Sequence, residues 1–149
     1  MTAPSGPPGN ARPIDPRTEV ERVHSLLAIW LGSAASPQVL DAFAAAHHDD
    51  FSMVTVAGTV ARKSELVSGL HRARNSRPGL VIETSDIETL FTTADTAVVR
   101  FVENQHDGND PEYRRTTAVL LLDPEEHRYR WLTVHETAVT PEEIARTAQ

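Results

Sequence analysis

The residues best suited to acid–base chemistry lie in the last extended stretch of the chain, HRYRWLTVHETAV at 127–139. Successive side chains of a strand point to opposite faces, so alternate residues form two sets. One set is Arg130, Leu132, Val134, Glu136 and Ala138, and the other is Trp131, Thr133, His135, Thr137 and Val139. Both sets mix polar with apolar groups. Such a strand is expected in the middle of a curved sheet, with one face lining an interior and the other meeting a helix or a second subunit.

A second group of chemically active residues is the run HHDD at 47–50. Histidine and aspartate are common metal ligands, but adjacent residues rarely converge on one ion, and no second His and carboxylate pair follows at helical spacing. We therefore expect no metal. The run is typical of a solvent-exposed helix end carrying Asp49 and Asp50, with His47 or His48 reaching the mouth of a cavity as an acid or base near neutral pH.

Composition narrows the function classes. The 149 residues fit one domain, and the net charge of −7, from 21 acidic against 14 basic residues, argues against nucleic acid and anionic membranes as partners. There is no cysteine, which excludes disulfides and thiolate chemistry. No apolar window is long enough for a membrane span and no secretory signal is visible, so we expect a cytoplasmic location. Nucleotide-binding glycine motifs and G-x-S-x-G are absent, which favours cofactor-free action.

The elements that must position these residues are helices first and strands later. Asp15 and Pro16 predict the start of a helix over about 16–34, and Ser36 and Pro37 predict a second helix to about residue 46. A short hairpin over 51–61 and a third helix capped by Ser64 follow. Four strands are then predicted at 80–91, 96–106, 112–122 and 129–139, because turn residues separate runs rich in Val, Ile and Thr.

This order predicts an α+β domain over 15–140, with three N-terminal helices packed on one side of a strongly curved antiparallel sheet. Residues 1–14 are rich in proline and glycine and are expected to be a disordered tail. Residues 141–149 are expected to be a C-terminal tail. A bent sheet closed by helices leaves a conical cavity.

Four segments carry a resemblance to a known family: DFSMVTVAGTV at 50–60, RPGLVIE at 77–83, RRTTAVLL at 114–121 and RWLTVHET at 130–137. Over about 16–139 the chain resembles the NTF2-like superfamily, and within it the SnoaL-like and DUF4440 proteins. The resemblance implies a cone-shaped fold and homodimers formed through the outer sheet face. It does not fix the activity, because this scaffold carries isomerases, dehydratases, polyketide cyclases, hydrolases and binding modules.

The resemblance also implies an orientation for the strands. Relatives carry a Trp and a His-x-His pattern in the last strand, and the residue after the second His faces the cavity. In this chain His135 matches the second His, while Thr133 stands where the first often is. Glu136 is therefore expected inside, and Trp131, Thr133 and His135 in a dimer interface. A register shift of one residue would instead place His135 in the cavity.

In the same register Glu103, Arg115 and Glu136 face the cavity as candidate catalytic residues. Burial would raise the pKa of one carboxyl while the guanidinium keeps the other ionised, which suits proton transfer on a small carbonyl compound. Arg115 could equally anchor a substrate carboxylate. The expected substrate-binding residues are Gln105, Thr117, Phe101, Trp30, Phe51, Met53 and His47.

We therefore expect a cofactor-independent isomerase, cyclase or dehydratase acting on a hydrophobic small molecule, of the kind found in secondary metabolism. The alternative is a non-catalytic ligand-binding or dimerisation module, in which the three charges form only a buried salt bridge.

Overall fold

The computed structural model describes residues 15–147, and their order of helices and strands confirms the predicted α+β architecture. The helices are α1 (Pro16–Gly32), α2 (Pro37–Ala45), α3 (Lys63–Arg72) and α4 (Pro141–Thr147). The strands are β1 (His47–Val54), β2 (Val60–Arg62), β3 (Val81–Thr92), β4 (Thr96–His106), β5 (Glu112–Asp123) and β6 (Arg128–Ala138). The expected tail at 1–14 lies outside the described residues. The short helix α4 falls within the segment expected to be a C-terminal tail.

The six strands form one sheet in the order β2-β1-β6-β5-β4-β3. Strands β3 to β6 make the predicted antiparallel meander, since short turns join neighbours in both sequence and space. The pairing of β1 with β6 is parallel, so the sheet is mixed rather than wholly antiparallel. A parallel neighbour needs a long crossover, and here the chain from β2 through α3 to β5 provides it.

Local signals explain where the helices begin. The Asp15 carboxylate accepts from the backbone N–H of Arg17 at 2.9 Å, and Pro16 follows it, as predicted. Helix α3 begins at Lys63, so Ser64 lies inside the helix. The prediction that Ser64 caps this helix was therefore wrong. Its first turn is instead closed by Glu65, whose carboxylate accepts from the backbone N–H of Arg62 at 2.8 Å.

Helices α1 to α3 cover one face of the sheet and form the core with it. Val20 and Val23 of α1 are buried in the same cluster as Val99, Phe101 and Leu120 of the sheet. Trp30 is also core, and its indole N–H donates to the Leu70 carbonyl at 2.6 Å, joining α1 to α3. Trp30 does not line the cavity described below, so its expected role in substrate binding has no structural support.

The loop between α3 and β3 is fastened to the end of α1. Backbone N–H groups of Asn75, Arg77 and Gly79 each donate to a carbonyl of the last turn of α1 at 2.9 Å. At Gly32 a Cβ would lie 2.9 Å from the backbone nitrogen of Leu80, so only glycine permits this close approach. The fastening fixes the position of Arg77, which takes part in the site.

A β-bulge in β6 changes which side chains face the helices. Leu120 of β5 is opposite Trp131, whereas the preceding Val119 is opposite Thr133, so Leu132 is the extra residue. Trp131 and Val134 therefore both face the helices, and Trp131 is only 2% exposed. The prediction of Trp131 in an outer interface was wrong, because strict alternation does not hold across a bulge. Thr133 and His135 do lie on the outer face.

Candidate functional site

A cavity of about 460 Å³ lies between the helices and the concave face of the sheet. Most of its wall is apolar, with aromatic rings from α2, β1, β4 and β6. Its polar residues are concentrated on α1, at the start of β1, and on the facing ends of β4, β5 and β6. The side chains used below are Phe43, Phe51, Phe101 and Trp131 on the apolar side and His24, His47, Glu103, Gln105, Arg114, Thr116 and Glu136 on the polar side.

Most of the residues predicted for the site do line this cavity. On the sheet these are Phe101, Glu103, Gln105 and Glu136; around β1 they are His47, Phe51 and Met53. The orientation of β6 around Glu136 therefore agrees with the expectation from the resemblance. In the HHDD run His47 is buried, while Asp49 and Asp50 are exposed, and all four residues belong to β1 rather than to a helix end.

Arg115 and Thr117 were predicted to face the cavity, and this prediction was wrong. Both border the outer face of the sheet, and Arg114 and Thr116 take their places in the cavity. The cause is the pairing of β4 with β5, in which Glu103 is opposite Arg114 and Phe101 opposite Thr116. Residues directly opposite each other share a face of the sheet, so the inward side chains of β5 are the even-numbered ones.

The centre of the polar region is a buried pair of His24 and Glu103. The His24 Nε2 and Glu103 Oε1 atoms are 3.2 Å apart, and His24 Nδ1 lies 2.7 Å from the Val20 carbonyl oxygen. A carbonyl only accepts, so Nδ1 must carry a proton. The contact at Nε2 then needs one more proton, carried by the imidazole or by the carboxyl. The pair therefore shares a proton between Nε2 and Oε1, and both side chains line the cavity.

The balance of burial and charge places that proton on His24. Burial alone would lower the pKa of His24, but the hydrogen bond and charge of Glu103 outweigh burial and raise it. Burial alone would raise the pKa of Glu103, but the hydrogen bond and charge of His24 outweigh it and lower this pKa. The two shifts together favour an imidazolium beside a carboxylate over a neutral pair.

Gln105 and Arg77 extend this pair towards the surface. Arg77 Nη1 donates to Gln105 Oε1 at 2.7 Å, and since a guanidinium has no acceptor, the amide orientation is fixed. The amide nitrogen of Gln105 therefore faces Glu103 and donates to its Oε2. Arg77 is itself held by the Asp107 carboxylate at 3.1 Å. The resulting chain of hydrogen bonds keeps Glu103 ionised.

Glu136 is the second carboxyl that the sheet contributes to the cavity. Its Oε1 accepts from Arg114 Nη1 at 3.2 Å, and its side chain is 13% exposed. Burial raises the pKa of Glu136, Arg114 opposes that rise, and the negative charge of Glu103 adds to it. The two carboxyls that the sheet contributes thus differ: Glu103 is held ionised and Glu136 is shifted towards its neutral form.

His24 was not predicted from the sequence, although a signal was present. It follows Val20 by one helical turn and precedes Leu27 by three residues, so it lies on the apolar stripe of α1. Glu19 was also missed. It is 5% exposed, accepts from the indole N–H of Trp131 at 3.0 Å and is paired with Arg22 at 3.1 Å.

Among residues 15–147 no cluster of three or more His, Asp or Glu side chains could hold a metal ion. In the same part of the chain, no helix has the length and apolar character needed to cross a membrane.

Comparison with solved structures decides the family. The chain is 33% identical to an NTF2-like protein of unknown function from Pseudomonas aeruginosa, with a TM-score of 0.79 over 83% of this chain and 98% of that one. The chain belongs to the NTF2-like family. The sequence matches no protein-family model, and a search of curated proteins finds no significant match.

Two further structures show the NTF2-like fold at low identity. A candidate scytalone dehydratase from Novosphingobium aromaticivorans is 13% identical, with a TM-score of 0.65 over 84% of this chain and 85% of that one. A candidate ketosteroid isomerase from Parabacteroides distasonis is 14% identical, with a TM-score of 0.63 over 87% of this chain and 91% of that one. These likenesses concern the fold of this NTF2-like protein and not its chemistry.

Proposed function

We propose that the cavity binds an apolar small molecule with a carbonyl or hydroxyl group and catalyses a cofactor-independent isomerisation, cyclisation or dehydration. The observation that carries the proposal is a cavity with an apolar wall in which a carboxyl of raised pKa, Glu136, lies near a protonated imidazole, His24. Proton transfer needs a base and an acid whose pKa values are displaced towards the working pH.

Glu136 is the proposed base. Its raised pKa makes it a stronger base than an ordinary carboxylate, while Arg114 holds one of its oxygens. The other oxygen accepts no hydrogen bond from the residues that the structure describes. It can therefore take a proton from a carbon next to a substrate carbonyl and return it elsewhere.

His24 is the proposed acid. Its Nδ1–H is held by the Val20 carbonyl, so the proton it would donate is the one at Nε2, which the carbonyl oxygen of an enolising substrate or a departing hydroxyl group would share with Glu103. Glu103 does not itself need to touch the substrate, since it keeps His24 protonated and correctly turned. This assignment replaces the sequence-based cluster of Glu103, Arg115 and Glu136 with His24 and Glu136, supported by Glu103 and Arg114.

Deuterium exchange tests the proposal without knowledge of the natural reaction. Indanone, a compact bicyclic ketone, is incubated with the protein in deuterated buffer, and loss of the hydrogens next to its carbonyl is followed by NMR. The wild type should accelerate exchange, and Glu136→Gln should lose at least about 100-fold of the acceleration, the usual size of general-base catalysis. Glu88→Gln, on the outer face, is the matched control.

The alternative is a non-catalytic ligand-binding module, and one observation favours it. The carboxyls of Glu103 and Glu136 already have charged partners, His24 and Arg114. In that case indanone should bind without any exchange above the buffer rate, and Glu136→Gln should change only stability and affinity.

We also propose that this protein forms a homodimer through the outer sheet face. That face presents Thr133 and His135 beside Arg115, Thr117 and Val119, without Trp131. Analytical ultracentrifugation should show a dimer in the wild type and a monomer in Val119→Glu, which adds a charge at the centre of the face. A monomeric wild type would refute the interface.

A further inference from the structure

His47 lines the cavity but takes no part in the proposed proton transfer. It is the first residue of β1, only 4% exposed, and its ring lines the cavity. Its Nδ1 lies 2.7 Å from the Phe43 carbonyl oxygen, which only accepts, so Nδ1 carries a proton. Burial lowers the pKa of His47 to about 4, so the ring is neutral at physiological pH.

The opposite nitrogen of this neutral ring is an acceptor. With Nδ1 protonated, Nε2 keeps its lone pair. Within residues 15–147 no side chain or backbone group donates to Nε2. This atom is accessible to solvent. This acceptor therefore takes its hydrogen bond either from water in the cavity or from a donor on a bound molecule.

The surroundings define what kind of donor fits. Phe43 and Phe51 lie against the His47 ring, with centroids 4.5 and 4.7 Å away, and Trp131 stacks on it at 6.2 Å. These rings suit a flat apolar body. Lys63 Nζ donates to the His47 carbonyl at 2.9 Å, so positive charge is close by. A cationic amine is therefore disfavoured, whereas a neutral hydroxyl is not.

We propose that His47 Nε2 accepts a hydrogen bond from a hydroxyl group on a flat, apolar ring of the ligand, and that this contact selects hydroxylated ring compounds. The inference rests on the proposed function for the identity of the cavity as the substrate site. It adds a recognition point beside Trp131, whose indole also contacts His24. The substrate class is thus a hydroxylated cyclic ketone or alcohol.

Calorimetric titration of the full chain with three probes tests the contact. The probes are indanone, a hydroxyindanone with its hydroxyl on the benzene ring, and the matching methoxyindanone, which cannot donate. The wild type should bind the hydroxy compound roughly 5- to 10-fold more tightly than the methoxy compound, the usual net effect of one hydrogen bond. In His47→Phe, which keeps an aromatic ring, the two compounds should bind within about 2-fold of each other.

His48→Phe is the matched control, because its side chain lies outside the cavity and is 37% exposed. It should keep the wild-type preference. A second measurement avoids any folding defect of the variants: in the wild type, the ¹⁵N shift of His47 Nε2 should move on adding hydroxyindanone and not on adding methoxyindanone. Equal affinities in the wild type, a preference that survives in His47→Phe, or no binding of either compound at millimolar concentration would overturn the inference.

The two proposals fail separately. Tighter binding of hydroxyindanone without deuterium exchange leaves the contact with His47 standing and removes the proposed catalysis. Deuterium exchange without any preference for hydroxyindanone leaves the proposed catalysis standing and removes the contact with His47.

Discussion

Replacing Glu103 by Gln tests the most distinctive electrostatic feature of the protein. The substitution keeps the size of the side chain and removes its charge. Glu103 is 2% exposed and its partner His24 is 8% exposed, so the variant leaves an imidazolium buried without a counter-charge. Removing one partner of a buried ion pair costs about 3–5 kcal/mol of the free energy of unfolding. His24 can limit the cost by releasing its proton, which makes the loss depend on pH.

The sign of this dependence follows from the two pKa shifts. In the wild type the pKa of His24 is raised above 6.5, so its contribution to stability is fully present below pH 6.5 and disappears as the pH rises through the folded-state pKa. The pKa of Glu103 is lowered, so its contribution is present above pH 4.5 and disappears at lower pH. The pair therefore stabilises the fold most between pH 4.5 and pH 6.5.

In Glu103→Gln the main cause that remains is burial, which lowers the pKa of His24. The free energy of unfolding should fall by about 3 kcal/mol at about pH 7.5. At about pH 5.5 it should fall by at least about 1 kcal/mol more, because a pKa difference of one unit corresponds to about 1.36 kcal/mol. Urea unfolding followed by tryptophan fluorescence at the two pH values measures it.

Glu88→Gln is the control for this measurement. It removes a carboxylate paired with Arg100 on the outer face, where the Glu88 side chain is 53% exposed. Exposed pairs of this kind contribute little, so its loss should be below about 1 kcal/mol at both pH values. An equal loss for Glu103→Gln at both pH values would refute a charged pair with His24.

Three further predictions concern neighbouring groups. Gln105→Leu should raise the pKa of Glu103, measured by NMR titration, because Glu103 loses a donor that favours its ionised form; an unchanged pKa of Glu103 alongside a lower stability would assign Gln105 a packing role only. Arg114→Gln should raise the pKa of Glu136 further, since Arg114 opposes the effect of burial, and should move the pH profile of deuterium exchange upwards; a downward shift would contradict this. Trp131→Phe should cost about 1–3 kcal/mol in urea unfolding by leaving a buried carboxylate without its indole donor, and a loss within error of zero would show that this bond contributes nothing.

The secondary structure could be predicted from the sequence because its signals are local. Caps such as Asp15 with Pro16 and the turns between the last four strands act within a few residues, and the structure reproduces their positions. The N-cap of α3 was misplaced by two residues, at Ser64 rather than Arg62, since Ser64 and Glu65 are both plausible first-turn partners and only the backbone geometry distinguishes them.

The orientation of β5 could not be obtained from its own residues. The sequence at 114–117 is Arg-Arg-Thr-Thr, so either register places one arginine and one threonine on the inner face. Only the pairing with β4, where Glu103 is opposite Arg114, selects between them. A one-residue shift exchanges every side chain between the two faces, which is why Arg115 and Thr117 were wrong while Glu103 was correctly placed.

Trp131 and His24 illustrate two other limits. The bulge at Leu132 has no clear signature in RWLTVHET, and the sequence pattern of a strand assumes uniform alternation. His24 lies on an apolar helix stripe, where a histidine is usually part of the core. Its partner Glu103 is 79 positions further along the chain, and no local pattern reports a contact at that separation.

Glu136, largely buried in the cavity and with a raised pKa, is the group proposed to move a proton. The most direct test compares two quantities in the wild type: the pKa of the Glu136 carboxyl from ¹³C NMR and the pH at which deuterium exchange of indanone reaches half its maximum rate. The two values should coincide and lie above the ordinary value of 4.5. A Glu136 pKa at or below 4.5, or exchange whose pH profile does not follow this carboxyl, would contradict it.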